Sequence, residues 1–442
     1  MPQSDSPISS LLATLHQGAQ VHIDSRKVQS GDIFFALKGE HVDGNAYAGK
    51  ALGFGAALAV IDNPAYDQAD HDRLLLVEDS LKALQAFARA RRQELNIPIL
   101  GITGSNGKTT SKELIHSVLK TEKKVFATQG NFNNHIGVPL TLLAIPDDAE
   151  IAIVEMGTNQ PGDISELVEM AQPTHGMITN IGAAHLEKLG SLEGVRKEKG
   201  TLFDHLRRSN GVVFLNESDP HLNIAARGVK RLITYGEQQS EWFANITKHG
   251  LDHMELQIHH AHWSEPQTFQ AQLSGTYNAT NILSAVVIGS FFGISLEGLK
   301  QGIHTYQSSN NRSQILHKGP YTIWLDAYNA NISSMKAAIQ HICEIGEEPV
   351  GLILGDMLEM GEAEQAIHKE LGTFVQRFSP TVTIAIGPRM RFFAEKAPSP
   401  THWYPSVVDA SVQIAERLRG ARLLLIKGSR GMALERLVEL IG

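Results

Sequence analysis

The chain has 442 residues, of which 42% are hydrophobic and 19% are charged, and its formal net charge is −8. This composition excludes wholesale disorder, and the length predicts two or three domains that each bury their own core. The negative charge argues against non-specific binding to DNA or RNA, so anionic ligands must be held by local lysines, arginines and metal ions.

The sequence also predicts a cytoplasmic location. It has no apolar run of the roughly eighteen residues that a bilayer span needs, and its first residues, MPQSDSPISSLL, lack the basic start and apolar core of a secretory signal. Cys343 is the single cysteine and cannot form an internal disulfide. We therefore expect no stable membrane insertion and a reducing compartment.

Residues 1–95 form the first predicted domain. Two short apolar runs, at residues 31–37 and 56–61, indicate strands, and an amphipathic pattern over residues 80–95 indicates a closing helix. This mixture predicts a small α/β domain.

The most informative segment follows directly, at residues 101–110 with the sequence GITGSNGKTT. It lies between an apolar run and a helical pattern, as a nucleotide-binding phosphate loop does. Gly104 and Gly107 allow backbone N–H groups to turn towards phosphate oxygens. Lys108 can reach the outer phosphates, and Thr109 is placed to ligate Mg²⁺. The first glycine of the standard spacing is displaced by one residue, so we interpret the segment as a variant phosphate loop. The alternative, an ordinary turn, leaves the lysine and the paired threonines unexplained.

Residues 96–310 form the second predicted domain, in which strands and helices alternate. Apolar runs that predict parallel strands lie at residues 151–155, 176–181 and 212–215. Alternation of this kind indicates a mostly parallel sheet wrapped by helices. Polar and apolar residues alternate at 242–269, which predicts an antiparallel extension before a helix that begins near Asn278.

Polar residues after the predicted strands indicate a ligand site. Glu155 ends an apolar strand, and open parallel sheets bind ligands at the carboxyl ends of their strands. Its carboxylate could hold Mg²⁺ beside Thr109, or it could be an ordinary surface acid. The asparagine-rich residues 130–139 suit a polar ligand, or they form a plain turn. Asp163 and Glu166 are expected to cap the next helix.

Two further parts of the sequence indicate a metal site only when they are combined with the residues named above. His185 follows the predicted strand at 176–181 and can ligate a metal through its neutral imidazole, although a lone histidine is more often structural or solvated. Lys197 and Lys199 lie in a charged helical stretch that would ordinarily face solvent.

Residues 311–442 form the third predicted domain, after a polar stretch near residue 310. Apolar runs that predict its strands lie at residues 321–325, 350–354, 382–386 and 423–426. Two of these runs are followed by motifs that suit ligand contacts, DAYNAN at 326–331 and KGSR at 427–430. The alternation again predicts an α/β domain.

In their order along the chain, these motifs resemble those of the Mur ligases, the ATP-dependent enzymes that form amide bonds in bacterial peptidoglycan synthesis. The motifs lie at residues 103–110, 130–139, 155–164, 180–191, 277–281, 326–335, 354–362 and 427–435. The patterns at 130–139 and 326–335 indicate the family member that joins D-alanyl-D-alanine to UDP-N-acetylmuramoyl-tripeptide. The resemblance implies three α/β domains: a smaller N-terminal domain, a central phosphate-loop domain with a mostly parallel sheet and helices on both faces, and a Rossmann-like C-terminal domain.

The resemblance also implies where ATP and Mg²⁺ bind. The nucleotide would contact Gly104, Ser105, Asn106, Gly107, Lys108, Thr109, Thr110, Asn278, Asn281, Arg312 and Asp326. The metal would be held by Thr109, Glu155, His185 and Lys199. The family carries a carbamylated lysine, which falls on Lys199 rather than Lys197 and whose carbamate is an anion that can support Mg²⁺. Lys108, His185 and Lys199 would be the catalytic residues.

The other substrates are assigned in the same way. UDP-N-acetylmuramoyl-tripeptide would contact Ser25, Arg26, Lys38, Asn133 and Asn134. D-alanyl-D-alanine would contact Tyr328, Asn329, Asn331, Lys427, Ser429 and Arg430. Two residues depart from the family pattern. Asn45 stands where the family often has a histidine after Asp-Gly, and Ile332 stands where it commonly has a proline after Tyr-Asn-Ala-Asn. These departures affect local substrate contacts rather than the phosphate or metal positions.

The implied reaction makes an acyl phosphate from the tripeptide carboxylate and ATP, which the dipeptide amine then attacks. We expect a monomer that closes about a flexible joint near residue 310. One alternative is another Mur-type or folylpolyglutamate-type ligase that adds a single amino acid. The other is a catalytically inactive, nucleotide-gated binding protein, against which the joint presence of Glu155, His185 and Lys199 argues.

Overall fold

The computed structural model describes residues 7–67, 72–308, 312–345 and 348–441. It contains sheets of four, nine and six strands, which follow one another along the chain and mark the N-terminal, central and C-terminal domains. The three-domain α/β fold expected from the sequence is confirmed. The domain limits near residues 95 and 310 stay predictions, and the joint expected at 310 lies outside the described residues.

The N-terminal sheet is parallel, in the order β1 (Val21–His22), β2 (Ile33–Phe35), β3 (Leu58–Ile61) and β4 (Leu74–Leu76). Its helices are α1 (Pro7–His16), α2 (Ala48–Gly53) and α3 (Ser80–Glu94). Because successive strand side chains point to opposite faces, Ile33 and Phe35 pack with α3, whereas Phe34 packs with α2.

The central sheet is mostly parallel. Its strands are β5 (Ile99–Thr103), β6 (Val125–Ala127), β7 (Ile151–Glu155), β8 (His175–Ile178), β9 (Val212–Asn216), β10 (Arg231–Gly236), β11 (Trp242–His249), β12 (Met254–His260) and β13 (Gln267–Ala271). They lie in the order β13-β12-β11-β10-β9-β8-β5-β7-β6. Only the pairs β11–β12 and β12–β13 are antiparallel, as the alternation at 242–269 predicts.

Helices cover both faces of this sheet. They are α4 (Lys108–Leu119), α5 (Gly137–Leu143), α6 (Asp163–Ala171), α7 (Leu186–Leu189), α8 (Leu192–Ser209), α9 (Pro220–Ala225), α10 (Asn278–Phe291) and α11 (Leu296–Thr305). Leu100 and Ile102 of β5 pack with α4, α10 and α11, whereas Ile99 faces the side of α5, α6 and α8. Among the described residues, no helix combines the length and the apolar character that a membrane span requires.

The C-terminal sheet has one antiparallel edge. Its strands are β14 (Gln314–Lys318), β15 (Tyr321–Asp326), β16 (Val350–Gly355), β17 (Val382–Ile386), β18 (Thr401–Tyr404) and β19 (Leu423–Lys427). They lie in the order β14-β15-β19-β16-β17-β18, with only β14 antiparallel to its neighbour. The helices are α12 (Ile332–Ile345), α13 (Glu364–Val375), α14 (Met390–Ala394), α15 (Val407–Ser411) and α16 (Ile414–Arg417).

The order of the strands in each sheet determines where the polar motifs lie. In the central sheet, β5 lies between β8 and β7, so the chain leaves β5 at a point where the strand order reverses. In the C-terminal sheet, β19 lies between β15 and β16. Such switch points open a crevice at the carboxyl ends of the strands, where α/β proteins bind ligands.

Two expectations from the sequence need correction. The strands β1, β4, β6, β10, β14 and β18 were not predicted. All but β10 lie at the edge of a sheet, and β1, β4 and β6 have only two or three residues, too few to show a pattern in the sequence. Asp163 and Glu166 do not cap α6. The carboxylate of Glu198, on α8, accepts hydrogen bonds from the backbone N–H groups of Gly162 (2.8 Å) and Ile164 (2.7 Å) instead. The local motif was misleading because the acid that satisfies the helix terminus comes from a distant part of the chain.

Candidate active site

The phosphate loop connects β5 to α4 and depends on its glycines. Gly104 and Gly107 have φ angles of 151° and 78°, and Gly107 is the N-terminal cap residue of α4. A Cβ atom on Gly104 would lie 1.9 Å from Oγ1 of Thr179. Only glycine fits this backbone path, as the sequence pattern indicates.

The end of β8 braces the loop. The backbone N–H of Asn106 donates to Oδ1 of Asn180 (3.1 Å), and Nδ2 of Asn180 donates back to the carbonyl of Asn106 (3.0 Å). The hydroxyl of Ser105 donates to the carbonyl of Gly182 (3.0 Å). Asn180 was not singled out from the sequence, although its position after a strand was a usable signal.

Lys108 and Thr109 begin α4 and face different partners. Nζ of Lys108 donates to the carbonyl of Gly104 (2.7 Å), so the lysine closes its own loop. Burial lowers the pKa of Lys108, and the charge of Glu155 opposes this effect. The hydroxyl of Thr109 donates to Oε1 of Glu155 (3.1 Å).

Glu155 lies at the carboxyl end of β7, with 1% of its surface exposed. Its Oε1 also accepts a hydrogen bond from Nδ2 of Asn133 (2.8 Å). Its Oε2 has no hydrogen-bond donor within the part of the chain that the structure describes; the nearest cation is Nζ of Lys112, at 3.9 Å. A buried carboxylate oxygen without a donor fits a cation ligand.

Lys199 is a second buried group without a partner. It is fully buried on α8, and its Nζ makes no hydrogen bond to any described residue. Burial, followed by the charge of Lys108, lowers the pKa of Lys199 well below its ordinary value. Lys197, on the same helix, is exposed. Of the two lysines, Lys199 therefore has the environment of a neutral amine that can react with CO₂.

His185 lies in the turn between β8 and α7, with a φ of 54°. Its Nδ1 lies 2.5 Å from Oε2 of Glu359, which belongs to the C-terminal domain. Among the described residues, no three His, Cys, Asp or Glu side chains form a ready metal site. Mg²⁺ commonly binds through one or two carboxylates together with phosphates and water, so Glu155, Thr109 and modified Lys199 fit this ion better than they fit a metal with several protein ligands.

Two residues predicted to contact the nucleotide, Asn278 and Asn281, form a chain of hydrogen bonds at the start of α10. Nδ2 of Asn281 donates to Oδ1 of Asn278 (2.7 Å), and Nδ2 of Asn278 donates to the carbonyl of Ser274 (2.6 Å). The hydroxyl of Ser111 on α4 donates to Oδ1 of Asn281 (3.1 Å). These bonds fix α10 against the phosphate-loop helix.

The C-terminal domain contributes an aromatic stack and an ion pair. The guanidinium of Arg312 lies 3.6 Å from the ring centre of Tyr328, and that of Arg430 lies 5.5 Å from it. Nζ of Lys427, a buried residue at the end of β19, donates to Oδ2 of Asp326 at 2.5 Å.

Two residues predicted to bind the dipeptide also make contacts within the protein. Nδ2 of Asn331 donates to Oδ1 of Asn106 (2.7 Å), and Oδ1 of Asn331 accepts from the backbone N–H of Ser334 (2.9 Å). The hydroxyl of Ser429 accepts from the backbone N–H of Leu358 (2.9 Å). These contacts position the phosphate loop and a neighbouring loop, and the role of both residues in binding the dipeptide stays a prediction.

Most of the predicted residues line one cavity of about 730 Å³ between the central and C-terminal domains. It is lined by Ser105, Asn106, Gly107, Lys108, Thr109, Thr110, Asn133, Asn134, Glu155, His185, Asn278, Asn281, Arg312, Asp326, Tyr328, Asn329 and Lys427. The remaining predicted residues do not line it: Ser25, Arg26, Lys38, Gly104, Lys199, Asn331, Ser429 and Arg430. Gly104 shapes the loop that forms its wall.

The three N-terminal residues lie apart from this cavity. The guanidinium of Arg26 donates to both carboxylate oxygens of Asp24, at 2.9 and 2.8 Å, and this contact lowers the pKa of Asp24. Ser25 is buried beside them, and Lys38 pairs with Asp43 through the backbone. Asn45, one of the departures noted above, is buried and hydrogen-bonded to Asp43 and Asp62.

Comparison with known proteins adds independent information. Three parts of the chain match domains of known families. Residues 19–92 match "Mur ligase family, catalytic domain", residues 102–289 match "Mur ligase middle domain", and residues 311–430 match "Mur ligase, glutamate ligase domain". The UDP-N-acetylmuramoyl-tripeptide–D-alanyl-D-alanine ligase of Bacillus subtilis is 34% identical, over 95% of this chain and 92% of its own. The Escherichia coli enzyme of the same name is 30% identical, over 98% and 97%. The crystal structure of MurF from Acinetobacter baumannii superposes with a TM-score of 0.86, at 26% identity and 97% coverage of both chains.

Proposed function

The chain belongs to the Mur ligase family, among the ligases of the MurF type, and we propose that its cavity is where D-alanyl-D-alanine is joined to UDP-N-acetylmuramoyl-tripeptide as ATP is converted to ADP and phosphate. The reaction is a step of peptidoglycan precursor synthesis. One observation carries the assignment of the site: the phosphate loop, the buried carboxylate of Glu155 and the Asp326–Lys427 pair face the same cavity from two domains.

An amide does not form from a carboxylate and an amine in water, because the carboxylate carbon is a poor electrophile. In the first step, an oxygen of the tripeptide carboxylate attacks the γ-phosphorus of ATP and ADP leaves. Backbone N–H groups of the phosphate loop hold the phosphates, and Lys108 moves from the carbonyl of Gly104 to stabilise charge on the phosphoryl group. In the second step, the dipeptide nitrogen attacks the carbonyl carbon, phosphate leaves, and the surplus amine proton passes to solvent.

We assign the Mg²⁺ positions to Thr109, Glu155, His185 and carbamylated Lys199. The Oε2 atom of Glu155 and Nζ of Lys199 are buried without hydrogen-bond partners among the described residues, which supports this assignment. Bound Mg²⁺ would neutralise charge on the transferring phosphoryl group. A carbamate forms when the neutral Lys199 amine adds to CO₂ and loses a proton, so a buried neutral group becomes an anion.

We further propose that three domains bring the three substrates together: residues 1–95 bind the UDP-sugar through Ser25, Arg26 and Lys38, residues 96–310 bind ATP, and residues 311–442 bind the dipeptide. Asn133 and Asn134, which line the cavity, would contact the tripeptide. Tyr328, Asn329 and Lys427 line the opposite wall and would contact the dipeptide, with Arg430 near the Tyr328 ring. Aligning the reactants can lower a barrier by up to about 7 to 11 kcal/mol.

The test is a ligation assay with UDP-N-acetylmuramoyl-tripeptide, D-alanyl-D-alanine and ATP, followed by mass analysis of the product. We expect a product extended by the dipeptide, with one phosphate released per bond formed. Extension only by a single amino acid would reject the proposed dipeptide specificity. Phosphate release that is indifferent to both acceptor and dipeptide would favour a nucleotide-gated binding protein.

We propose a cytoplasmic monomer as the working form. Sedimentation equilibrium in the presence of β,γ-methylene-ATP should give a mass of about 48.3 kDa. A stable dimer would contradict the proposal.

A further inference from the structure

The contact between His185 and Glu359 joins two domains across the edge of the cavity. His185 belongs to the central domain and lines the cavity, whereas Glu359 follows β16 in the C-terminal domain. Nδ1 of His185 lies 2.5 Å from Oε2 of Glu359. The two atoms approach without the alignment of a hydrogen bond, so Nδ1 faces the Glu359 carboxylate and Nε2 is left for another ligand.

The loop that presents Glu359 is fixed at each preceding residue. The fully buried carboxylate of Asp356 accepts from the backbone N–H groups that begin α14, including that of Met390 (2.9 Å). Nε2 of His368 accepts from the backbone N–H of Met357 (3.1 Å). The backbone N–H of the next residue, Leu358, is held by Ser429, as described above. Within the C-terminal domain, this loop is braced so that Glu359 extends towards the central domain.

The backbone around the contact is equally constrained. Glu359 has a φ of 64°, a left-handed conformation that non-glycine residues seldom adopt. The backbone N–H of Glu187 approaches the carbonyl of Glu359 at 3.4 Å, and a Cβ atom on Gly361 would lie 3.1 Å from Cα of Glu187. Leu186 packs against the hydrophobic core of the C-terminal domain. The two loops thus approach closely, and the carboxylate is directed at His185.

We propose that Glu359 is a positioning residue for His185, so that the His185 side of the Mg²⁺ site is complete only when the C-terminal domain is docked. This inference rests on the proposed function, because His185 is taken there as a Mg²⁺ ligand. A histidine that ligates a metal through one nitrogen is commonly oriented by a carboxylate on the other, which also makes it a stronger base. Because Mg²⁺ prefers oxygen ligands, an imidazole that binds it benefits both from being oriented and from being a stronger base.

The arrangement gives the enzyme an order of events. With the C-terminal domain away, His185 has no carboxylate to orient it, and one metal position is weak. Docking of the domain that also carries the dipeptide residues brings Glu359 to His185. Metal-assisted transfer of the phosphoryl group is then favoured only when the C-terminal domain is docked and the cavity is closed, which limits loss of the acyl phosphate to water.

The experiment uses the full chain and counts bound Mn²⁺ by electron paramagnetic resonance in the presence of β,γ-methylene-ATP. The variants are Glu359→Gln, which keeps the shape of the side chain and removes its charge, and His185→Ala. Glu362→Gln, a charge removal at a nearby exposed residue, is the matched control. Small-angle scattering and thermal unfolding of each variant report domain docking and folding.

We expect the wild type to bind a Mn²⁺ ion and His185→Ala to abolish this binding. Glu359→Gln should weaken the affinity for the same ion about 10- to 100-fold. The Mg²⁺ concentration for half-maximal ligation should rise in parallel, and excess Mg²⁺ should restore turnover. Glu362→Gln should change neither quantity. If Glu359→Gln alters docking or stability but leaves Mn²⁺ affinity unchanged, Glu359 is only a structural contact and the inference is overturned. If His185→Ala itself leaves Mn²⁺ binding unchanged, the proposed metal role of His185 fails, and the inference fails with it.

Discussion

Lys108 is the residue on which phosphoryl transfer depends most directly. Its ammonium is held at the carbonyl of Gly104, 2.7 Å away, next to the position that the outer phosphates would occupy. We expect Lys108→Ala to lower kcat about 100- to 1000-fold, the usual effect of removing one preorganised donor from a developing charge. Lys120→Ala, at the exposed far end of the same helical segment, is the control. Undiminished ligation by Lys108→Ala would remove the lysine from the mechanism.

A second prediction at the residue scale concerns Lys199, because the buried amine of an unmodified lysine has no hydrogen-bond partner among the described residues. Protein incubated with ¹³C-labelled bicarbonate should show one carbamate carbon resonance, which Lys199→Ala abolishes and Lys197→Ala leaves in place. Activity of Lys199→Ala should fall about 10- to 100-fold or more, in line with the loss of a group that supports a metal site. A fully active wild type without the resonance would contradict the modification.

At the scale of elements, the N-terminus of α12 docks directly on the tip of the phosphate loop. Asn331 directly precedes this helix and donates to Asn106 at 2.7 Å, and Nδ2 of Asn106 approaches the hydroxyl of Ser333 at 3.5 Å. Because two domains meet at the residue that shapes the loop, we expect nucleotide binding and domain docking to be coupled through this contact.

A double-mutant cycle with Asn106→Ala and Asn331→Ala should measure that coupling. Asn331 also caps its own helix, so each single variant loses stability for local reasons, and only the interaction energy isolates the contact. We expect about 0.5 to 3 kcal/mol of coupling in kcat/KM for ATP. Ser334→Ala is the matched control, since Ser334 bonds only to Asn331 in this turn, at 3.0 and 3.1 Å. Equal coupling of Asn106 with Ser334 would show a general effect of the helix rather than a contact.

At the scale of the whole molecule, a buried histidine joins the central and C-terminal domains. Nε2 of His341, on α12, accepts a hydrogen bond from the backbone N–H of Gly275 (3.0 Å) just before α10. Burial, followed by the charge of His249, lowers the pKa of His341 to about 4, while Glu344 and a backbone bond with Gly250 act in the opposite direction. The contact therefore requires the neutral imidazole.

This requirement predicts a loss of stability in acid. Above an unfolded-state pKa of about 6.5, the histidine is neutral in both states; below it, the unfolded chain binds a proton that the folded protein does not. Between pH 7 and pH 5 this group should lower the free energy of unfolding by about 2 kcal/mol. Urea unfolding of His341→Gln should show a correspondingly smaller difference between these pH values, with His253→Gln, an exposed site, as control. Parallel pH dependences of the wild type and His341→Gln would refute the prediction.

The sequence by itself determined the fold class, the buried strands and the phosphate loop. These features depend on local signals. They are apolar runs such as 151–155, the phosphate-loop glycines Gly104 and Gly107 whose φ angles are positive, and polar residues that directly follow strands. Motif order along the chain was also sufficient for the resemblance to the Mur ligases, which the comparisons confirm.

Only the tertiary structure decided which partners these residues have. Glu359, Glu198 and His341 contact His185, the α6 terminus and Gly275 across long stretches of sequence, and no local periodicity encodes such pairs. The same limit explains why the sequence did not indicate that Asn331 contacts Asn106 or that Ser429 contacts Leu358. A motif states which chemistry a side chain offers, whereas packing of distant segments decides which group uses it.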